Sequence, residues 1–182
     1  MTDDDVIAAA KRGDQDAWRA LYRAHAGRLV VWLETRSGSD SAVTAEDVAA
    51  QAWLIAAEKV ADYTGDAHEF GGWLFGIARR VAANSRRRSG RRHTDPVADT
   101  PTIAVAGPDT TVPDQDSVRV LLARLSPRER DVVACVDVVG FSTAEAAQAL
   151  GMSQVAVRVA RHRALRRLRS EARTSLLAAT LA

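Results

Sequence analysis

The chain has 182 residues, of which 47% are hydrophobic, and its formal net charge is only +2. Aromatic residues make up 5%, so the apolar fraction consists mainly of small aliphatic side chains, which favours small helical domains over a thick sheet core. The single cysteine, Cys135, excludes an internal disulfide and a cysteine-based zinc site. We find no signal-peptide pattern and no run that could span a membrane, so we expect a cytoplasmic protein without membrane insertion.

The charge is unevenly distributed along the chain. The segment from Arg79 to Arg92 contains seven arginines and no acidic residue, whereas residues 93–117 contain five aspartates and no lysine or arginine. Residues 118–182 carry 11 basic and five acidic residues. Two basic segments separated by an acidic one indicate a polyanionic partner that is contacted at two places.

Helical periodicity predicts two helices at the start of the chain, the first over residues 3–12. Asp14 or Asp16 can cap the second, which ends near Arg36. We interpret His25 as a satisfied core histidine, because no carboxylate or nucleophile shares its face. The apolar stripe of the second helix consists of Trp18, Leu21, Tyr22, His25, Leu29, Trp32 and Leu33.

A third helix is predicted after a loop over residues 37–44, with Thr44 and Asp47 as its cap. One side of this helix is apolar, and the other side shows Asp47, Gln51 and Glu58. An ordinary solvated face and a surface for a partner protein are both compatible with this pattern.

A fourth helix is predicted from about residue 70 to residue 88, after a glycine-bearing loop. Arg80, Asn84 and Arg87 recur at i, i+4 and i+7, on one face that borders Trp73. Cations hold phosphates and aromatic rings stack on unpaired bases, so this face is typical of a site for single-stranded nucleic acid. We expect Trp73 itself to lie mostly in the core.

Residues 93–116 contain four of the five prolines and five aspartates without apolar periodicity, which is typical of a flexible linker. The second domain starts near Ser117 with a short apolar helix. Ser126, Pro127 and Glu129 then predict the capped start of another helix.

Residues 142–169 have the pattern of a helix-turn-helix. A short helix ends at Leu150, Gly151 suits a left-handed turn, and Ser153 can cap a longer helix. That longer helix carries arginines at positions 158, 161, 163, 166, 167 and 169 and no acidic residue among them, which suits docking in a major groove. A basic, solvated helix in a bundle is the alternative.

The sequence therefore predicts an all-α protein with two small helical domains, joined by a flexible, acidic, proline-rich linker. The expected boundaries are residues 1–92 for the first domain, 93–116 for the linker and 117–182 for the second domain, which contains the helix-turn-helix.

The order of these parts resembles that of the extracytoplasmic-function sigma factors of bacterial RNA polymerase. AEDVAAQAWLIAAEKVADY is similar to their polymerase-clamp-binding helix, and FGGWLFGIARRVAANSRRR to their minus-ten-recognising segment. LARLSPRERDVVACVDVVGFSTAEAAQALGMSQVAVRVARHRAL is similar to their minus-thirty-five-binding domain. The resemblance implies a promoter-specificity subunit without catalytic activity, metal or cofactor. Its implied partners are the core polymerase, promoter DNA and a cognate anti-sigma factor.

The resemblance also implies roles for particular residues. The clamp-binding face would consist of Asp47, Gln51, Leu54 and Glu58. The minus-ten segment would hold a melted strand through Phe70, Trp73, Arg79, Arg80, Asn84 and Arg87. The recognition helix would contact the duplex through Arg158, Val159, His162, Arg163 and Arg166, whereas Arg161 falls on its inner side.

Two other functional classes are weighed against this hypothesis. LSPRERDVV before a helix-turn-helix also resembles the DNA-binding domain of response regulators, but that reading leaves residues 73–88 unexplained and no phosphoacceptor pattern is present. The second alternative is an enzyme, which would need a catalytic site. The histidines are scattered, and the sequence has no glycine-rich phosphate loop, metal-ligand spacing or nucleophile–base pair.

Overall fold

The computed structural model describes residues 3–36, 43–92 and 115–180, so most of the predicted loop at 37–44 and of the linker at 93–116 lies outside the described residues. The described residues form helices and no strand, which confirms the all-α prediction. The helices are α1 (Asp3–Lys11), α2 (Gln15–Glu34), α3 (Ala45–Lys59), α4 (Ala67–Arg92), α5 (Gln115–Ala123), α6 (Pro127–Val133), α7 (Thr143–Leu150) and α8 (Gln154–Thr180). A 3₁₀ turn follows α3 at Val60–Asp62, and a π-helical turn follows α6 at Ala134–Val138.

Side-chain caps fix where several helices begin. The carboxylate of Asp14 accepts a hydrogen bond from the Ala17 backbone N–H at 2.8 Å, which starts α2 as predicted. Reciprocal capping boxes start α3, α6 and α7, so that two backbone donors are satisfied at each start. The pairs are Thr44 with Asp47, Ser126 with Glu129, and Ser142 with Glu145.

Helices α1 to α4 pack around an aromatic cluster whose centre is Phe70, a fully buried residue. Its ring centroid lies 5.4 Å from that of Trp73 and 5.7 Å from those of Tyr63 and His25. The indole N–H of Trp18 donates to the Ala10 carbonyl at 3.1 Å and ties α1 to α2. Because each large aromatic side chain buries much apolar area, this cluster contributes more to the stability of the fold than the small number of its residues suggests.

Two residues of the predicted α2 stripe differ from expectation. Tyr22 is 56% exposed and packs its ring at the surface against Trp53, with centroids 5.1 Å apart. His25 is buried as predicted, but its Nδ1 finds no hydrogen-bond partner among the described residues, so the prediction of a satisfied histidine is wrong. Burial and the charge of Arg28, opposed by Glu145, lower the pKa of His25 to about 4.

The helix-turn-helix has the predicted geometry. Gly151 ends α7 in the left-handed conformation with φ of 63°, which costs glycine little. The Ser153 hydroxyl then accepts from the Ala156 N–H at 3.2 Å as α8 begins. Leu150 and Val157 are buried between α7 and its neighbours, as the apolar spacing predicts.

The two halves of the chain pack directly on each other, which the sequence did not predict. Helix α4 makes its most extensive contact with α7, and one continuous set of buried apolar residues runs from α1 to α8. Trp32 of α2 is fully buried against Phe75, with ring centroids 5.2 Å apart. Cys135, in the π-helical turn, is also fully buried beside Trp32, and burial raises the pKa of its thiol to about 12.

Candidate nucleic-acid and polymerase interfaces

The exposed side of α8 carries one compact basic patch. Its lining residues are those that the sequence proposed for the recognition helix, Arg158, Val159, His162, Arg163 and Arg166. Val159 is 43% exposed although it is apolar, so it presents a methyl-bearing surface between cations. Among the described residues, no carboxylate forms an ion pair with an arginine of this patch, so its guanidinium groups are available to an outside anion.

Other arginines of α8 are used inside the protein. Arg161 donates three hydrogen bonds to the Asp137 carboxylate, at 2.6 to 3.1 Å, and so ties α8 to the π-helical turn. Arg167 lies 3.5 Å from Glu129 of α6. The Ser126 hydroxyl, with help from Arg167 and Arg163, lowers the pKa of Glu129. These pairs explain Arg161, which the sequence pattern placed on the inner side.

The polar face predicted on α4 is present. Arg80, Asn84 and Arg87 are exposed, and Arg87 donates a hydrogen bond to the Asn84 amide oxygen. This arrangement places two guanidinium groups and one amide on successive turns of a single helix face. Such a face can hold phosphates and hydrogen-bond a base edge at the same time.

The aromatic part of the predicted minus-ten site is not at the surface. Phe70 is 0% exposed, because it forms the centre of the aromatic cluster, so its ring is not open to a base in this structure, in contrast to the role that the resemblance implied. Trp73 is half-buried, as expected, and packs on Tyr63 with centroids 4.7 Å apart. Arg79 is also half-buried, with a buried Nε that lacks a hydrogen-bond partner among the described residues.

The predicted clamp-binding face of α3 is exposed along its whole length. Gln51, Leu54 and Glu58 are solvent-accessible, and Leu54 is 66% exposed, which is unusual for so large an apolar side chain. Asp47 is exposed too, but its side chain takes part in the capping box of α3, where it accepts a hydrogen bond from the Thr44 N–H at 3.2 Å. Its carboxylate is therefore partly committed to starting α3.

The sequence missed a neighbour of this face. A groove between α2 and α3 is almost entirely apolar and is bordered by two arginines; it is lined by Trp18, Arg19, Tyr22, Arg23, Ala50, Trp53, Leu54 and Ala57. Tyr22 and Leu54 are its exposed apolar walls. Helical spacing alone assigned Tyr22 to the core, and only the packing of α2 on α3 shows that it lies at the groove's edge.

No helix in the described part of the chain combines the length and the apolar character that crossing a membrane requires. Within the same residues, no three histidine, cysteine, aspartate or glutamate side chains come together as a metal site would need.

Comparisons with known proteins match both halves of the chain. Residues 21–92 match the family Sigma-70 region 2, and residues 115–168 match the family Sigma-70, region 4. The chain is 34% identical over 175 residues to the ECF RNA polymerase sigma factor SigD of Mycobacterium tuberculosis, covering 92% of this chain and 82% of SigD. It is 31% identical over 171 residues to SigL of the same species, covering 90% of this chain and 93% of SigL.

Solved structures share the fold. CnrH, solved in complex with the cytosolic domain of CnrY, is similar with a TM-score of 0.67 and 24% identity over 97% of each chain. The sigma factor RpoE of Bartonella quintana, solved with the anti-sigma factor NepR, has a TM-score of 0.66 and 22% identity, covering 86% of this chain and 96% of RpoE. Both sigma regions are thus present, in order, on an all-α chain that is similar to known members over most of its length. The chain belongs to the ECF sigma factors, the subunits that bind core RNA polymerase and promoter DNA to begin transcription.

Proposed function

We propose that this sigma factor reads promoter DNA with two separate surfaces and binds the core polymerase with a third, and that it has no catalytic activity of its own. The observation that supports the proposal best is the patch on α8, where three arginines that form no ion pair among the described residues surround Val159 and His162. The division into residues 1–92, 93–116 and 117–182 remains our assignment of these roles to domains.

The α8 patch is proposed to lie in the major groove of the minus-thirty-five element. Arg158 and Arg163 lie on successive turns near the start of α8, where a recognition helix reaches base edges. Arginine can bond to both guanine acceptors in the major groove, and Val159 can contact a thymine methyl group. Arg166, one turn further along, suits a phosphate.

The α4 face is proposed to hold the melted minus-ten strand through Arg80, Asn84 and Arg87. Trp73 contributes the exposed part of its ring, and Arg79 would join once its side chain is free of its packing. Phe70 is left out of this site, and we propose instead that it fixes the position of Trp73 from beneath.

The α3 face is proposed to bind the polymerase clamp through Gln51, Leu54 and Glu58, with Asp47 at its start. Leu54 and Tyr22 offer exposed apolar area that a partner would cover. CnrH and RpoE were solved with CnrY and an anti-sigma factor, respectively, and we propose that a cognate anti-sigma protein binds this chain too, in the cytoplasm.

Run-off transcription tests the proposal. The purified chain is mixed with bacterial core polymerase and a pool of promoter fragments, and defined start sites should appear only when the chain is present. Arg158→Ala should then weaken binding to the minus-thirty-five duplex by about 1–3 kcal/mol and reduce transcription from the same promoters. Arg12→Ala, which removes an exposed arginine in the turn after α1, is the matched control and should change neither. Transcripts that do not depend on the chain, or equal losses in both variants, would contradict the proposal.

A further inference from the structure

The basic patch of α8 and the buried side of the same helix lie on opposite sides of its axis. Each residue of an α-helix is turned by about 100° from the one before it, so the patch, with Arg158 at one edge and Arg163 at the other, spans roughly 140° of the circumference. The buried residues in the described part of α8 are Val157, Ala160 and Ala164. Two of these three side chains are only methyl groups, which interlock less with a neighbouring helix than larger side chains do. Apolar packing therefore resists a rotation of α8 about its own axis only weakly.

One arginine lies just outside each edge of the patch. By the same helical spacing, Arg161 lies about 60° beyond Arg158 on one side, and Arg167 lies about 40° beyond Arg163 on the other. Neither of these outer arginines lines the patch itself. Both therefore lie at the boundary between the exposed basic side of α8 and its buried side.

Arg161 is held by the carboxylate of Asp137. Its Nε donates to the two carboxylate oxygens at 3.0 and 3.1 Å, and its Nη2 donates to one of them at 2.6 Å. A guanidinium that is bound through two nitrogens is fixed in direction as well as in distance. This contact therefore restrains one edge of α8 against rotation.

A π-helical turn presents Asp137 to α8. In the turn at Ala134–Val138, the N–H of Val139 donates to the Ala134 carbonyl, five residues earlier, at 2.9 Å. Such a turn is wider than an α-helical one, so it changes the direction of the side chains that it carries, and it is frequent at functional sites. The position of Asp137 is therefore a consequence of this local departure from α-helical geometry.

The other edge of α8 is held from the start of α6. An oxygen of the Glu129 carboxylate lies 3.5 Å from Nη1 of Arg167, and the same oxygen accepts a hydrogen bond from the Ser126 hydroxyl at 2.7 Å. The Glu129 side chain is only 12% exposed. The capping box that starts α6 thus fixes the carboxylate that Arg167 contacts. These two contacts, Arg161 with Asp137 and Arg167 with Glu129, are the edge pairs of α8.

We propose that the edge pairs are positioning contacts that set the rotation of α8 about its axis, and thereby decide which side chains of the patch face the base edges. The inference rests on the proposed function of the patch in the major groove. A rotation of about 20° would move a side-chain end, about 5–6 Å from the helix axis, by roughly 2 Å. That displacement is enough to break a hydrogen bond to a base. Contacts with phosphates tolerate it better, because charge attraction falls slowly with distance. The edge pairs should therefore matter more for sequence discrimination than for overall affinity.

Fluorescence anisotropy with the full chain tests this inference on two labelled duplexes. One carries the sequence that the wild-type chain selects from a pool of short duplexes with randomised central base pairs, and the other carries the same bases in scrambled order. Asp137→Asn should lower the preference for the selected duplex, taken as the ratio of the two Kd values, by about three- to tenfold. Its affinity for the scrambled duplex should not fall, because Arg161 is released and becomes available to a phosphate.

Two further variants separate positioning from charge. Arg161→Lys keeps the positive charge but cannot bind through two nitrogens, so it should lose preference while its affinity for the scrambled duplex stays the same. Glu129→Gln should also lose preference, because glutamine preserves the capping box and removes the charge that Arg167 contacts. Asp16→Asn is the matched control. It breaks an exposed ion pair of α2 with the same change in net charge as Asp137→Asn, and should keep the wild-type preference.

A wild-type preference in Asp137→Asn and Arg161→Lys, with both variants helical by circular dichroism, would refute the inference. An equal loss of affinity for both duplexes would refute it too, because it would show a destabilised domain and not a rotated helix. Failure of the proposed function would look different. The wild-type chain would then select no sequence from the pool and direct no run-off transcripts, which would overturn the inference together with its premise.

Discussion

At the scale of single residues, His25 is a buried titratable group close to the boundary between the two halves. Its ring packs on Phe70, and its Nδ1 faces Gly71 of α4, where an added Cβ would lie 3.2 Å away. Arg28 disfavours its positive charge, whereas Glu145 of α7 favours it weakly. The native protein therefore keeps this histidine neutral well below pH 6.5, although the unfolded chain protonates it there.

This difference predicts a loss of stability in acid. Because the pKa of His25 is about 4 in the folded protein and near 6.5 when unfolded, its contribution is complete above pH 6.5 and is lost as the pH falls towards 4. The free energy of unfolding should fall by up to about 3 kcal/mol over this range from His25 alone. Denaturant titrations at several pH values measure the free energy of unfolding, which should fall less steeply with decreasing pH in His25→Leu than in the wild type. The same pH dependence in both proteins would contradict this assignment to His25.

At the scale of elements, the turn between α7 and α8 depends on the backbone conformation of Gly151. A residue with a Cβ at φ of 63° is strained, so Gly151→Ala should cost about 1–2 kcal/mol of stability. Gly151→Asn should cost less, since asparagine tolerates this conformation better. Chemical denaturation measures both. Equal stability of the alanine variant and the wild type would mean that the turn relaxes, and the position of α8 would not depend on glycine.

The same elements show what local sequence can predict. Thr44 with Asp47, and Ser126 with Glu129, are close in sequence, so their caps could be read directly. The fate of Phe70 and Tyr22 could not, because both lie on helical stripes that look alike until α2, α3 and α4 pack together. Phe70 then becomes the centre of the aromatic cluster, and Tyr22 becomes the wall of a groove. Helical period alone does not say which edge of a stripe faces solvent.

At the scale of the whole molecule, the buried apolar residues of the two halves form one core, which predicts a single unfolding transition. The four tryptophans, at positions 18, 32, 53 and 73, all lie in the first half, so their fluorescence follows mainly α1 to α4 and, through Trp32 beside Cys135, the contact with the second half. Circular dichroism follows every helix. Urea curves measured by the two methods should coincide for the wild-type protein, whereas a separate second transition by circular dichroism would show that the halves unfold independently.

The packing of the two halves on each other could not be predicted from the sequence, for a physical reason. In the sequence, Arg28, Arg36 and Asp131 cannot be told from ordinary surface charges, because the groups that they contact are far away along the chain. The glycines of FGGWLFG were visible, but a helix with small residues on one side does not reveal what packs there. The order of the regions and the basic face of α8 were predictable because both depend on patterns that lie within short segments of the sequence.

Because Cys135 is buried beside Trp32, the reactivity of its thiol reports how often the structure opens. A thiol with a pKa of about 12 and no exposed surface reacts with disulfide reagents only when the structure opens. The rate at which an unmodified sample consumes such a reagent therefore counts opening events, without any label. Added core polymerase, promoter DNA or salt should each raise or lower that rate by changing how often the structure opens around Cys135.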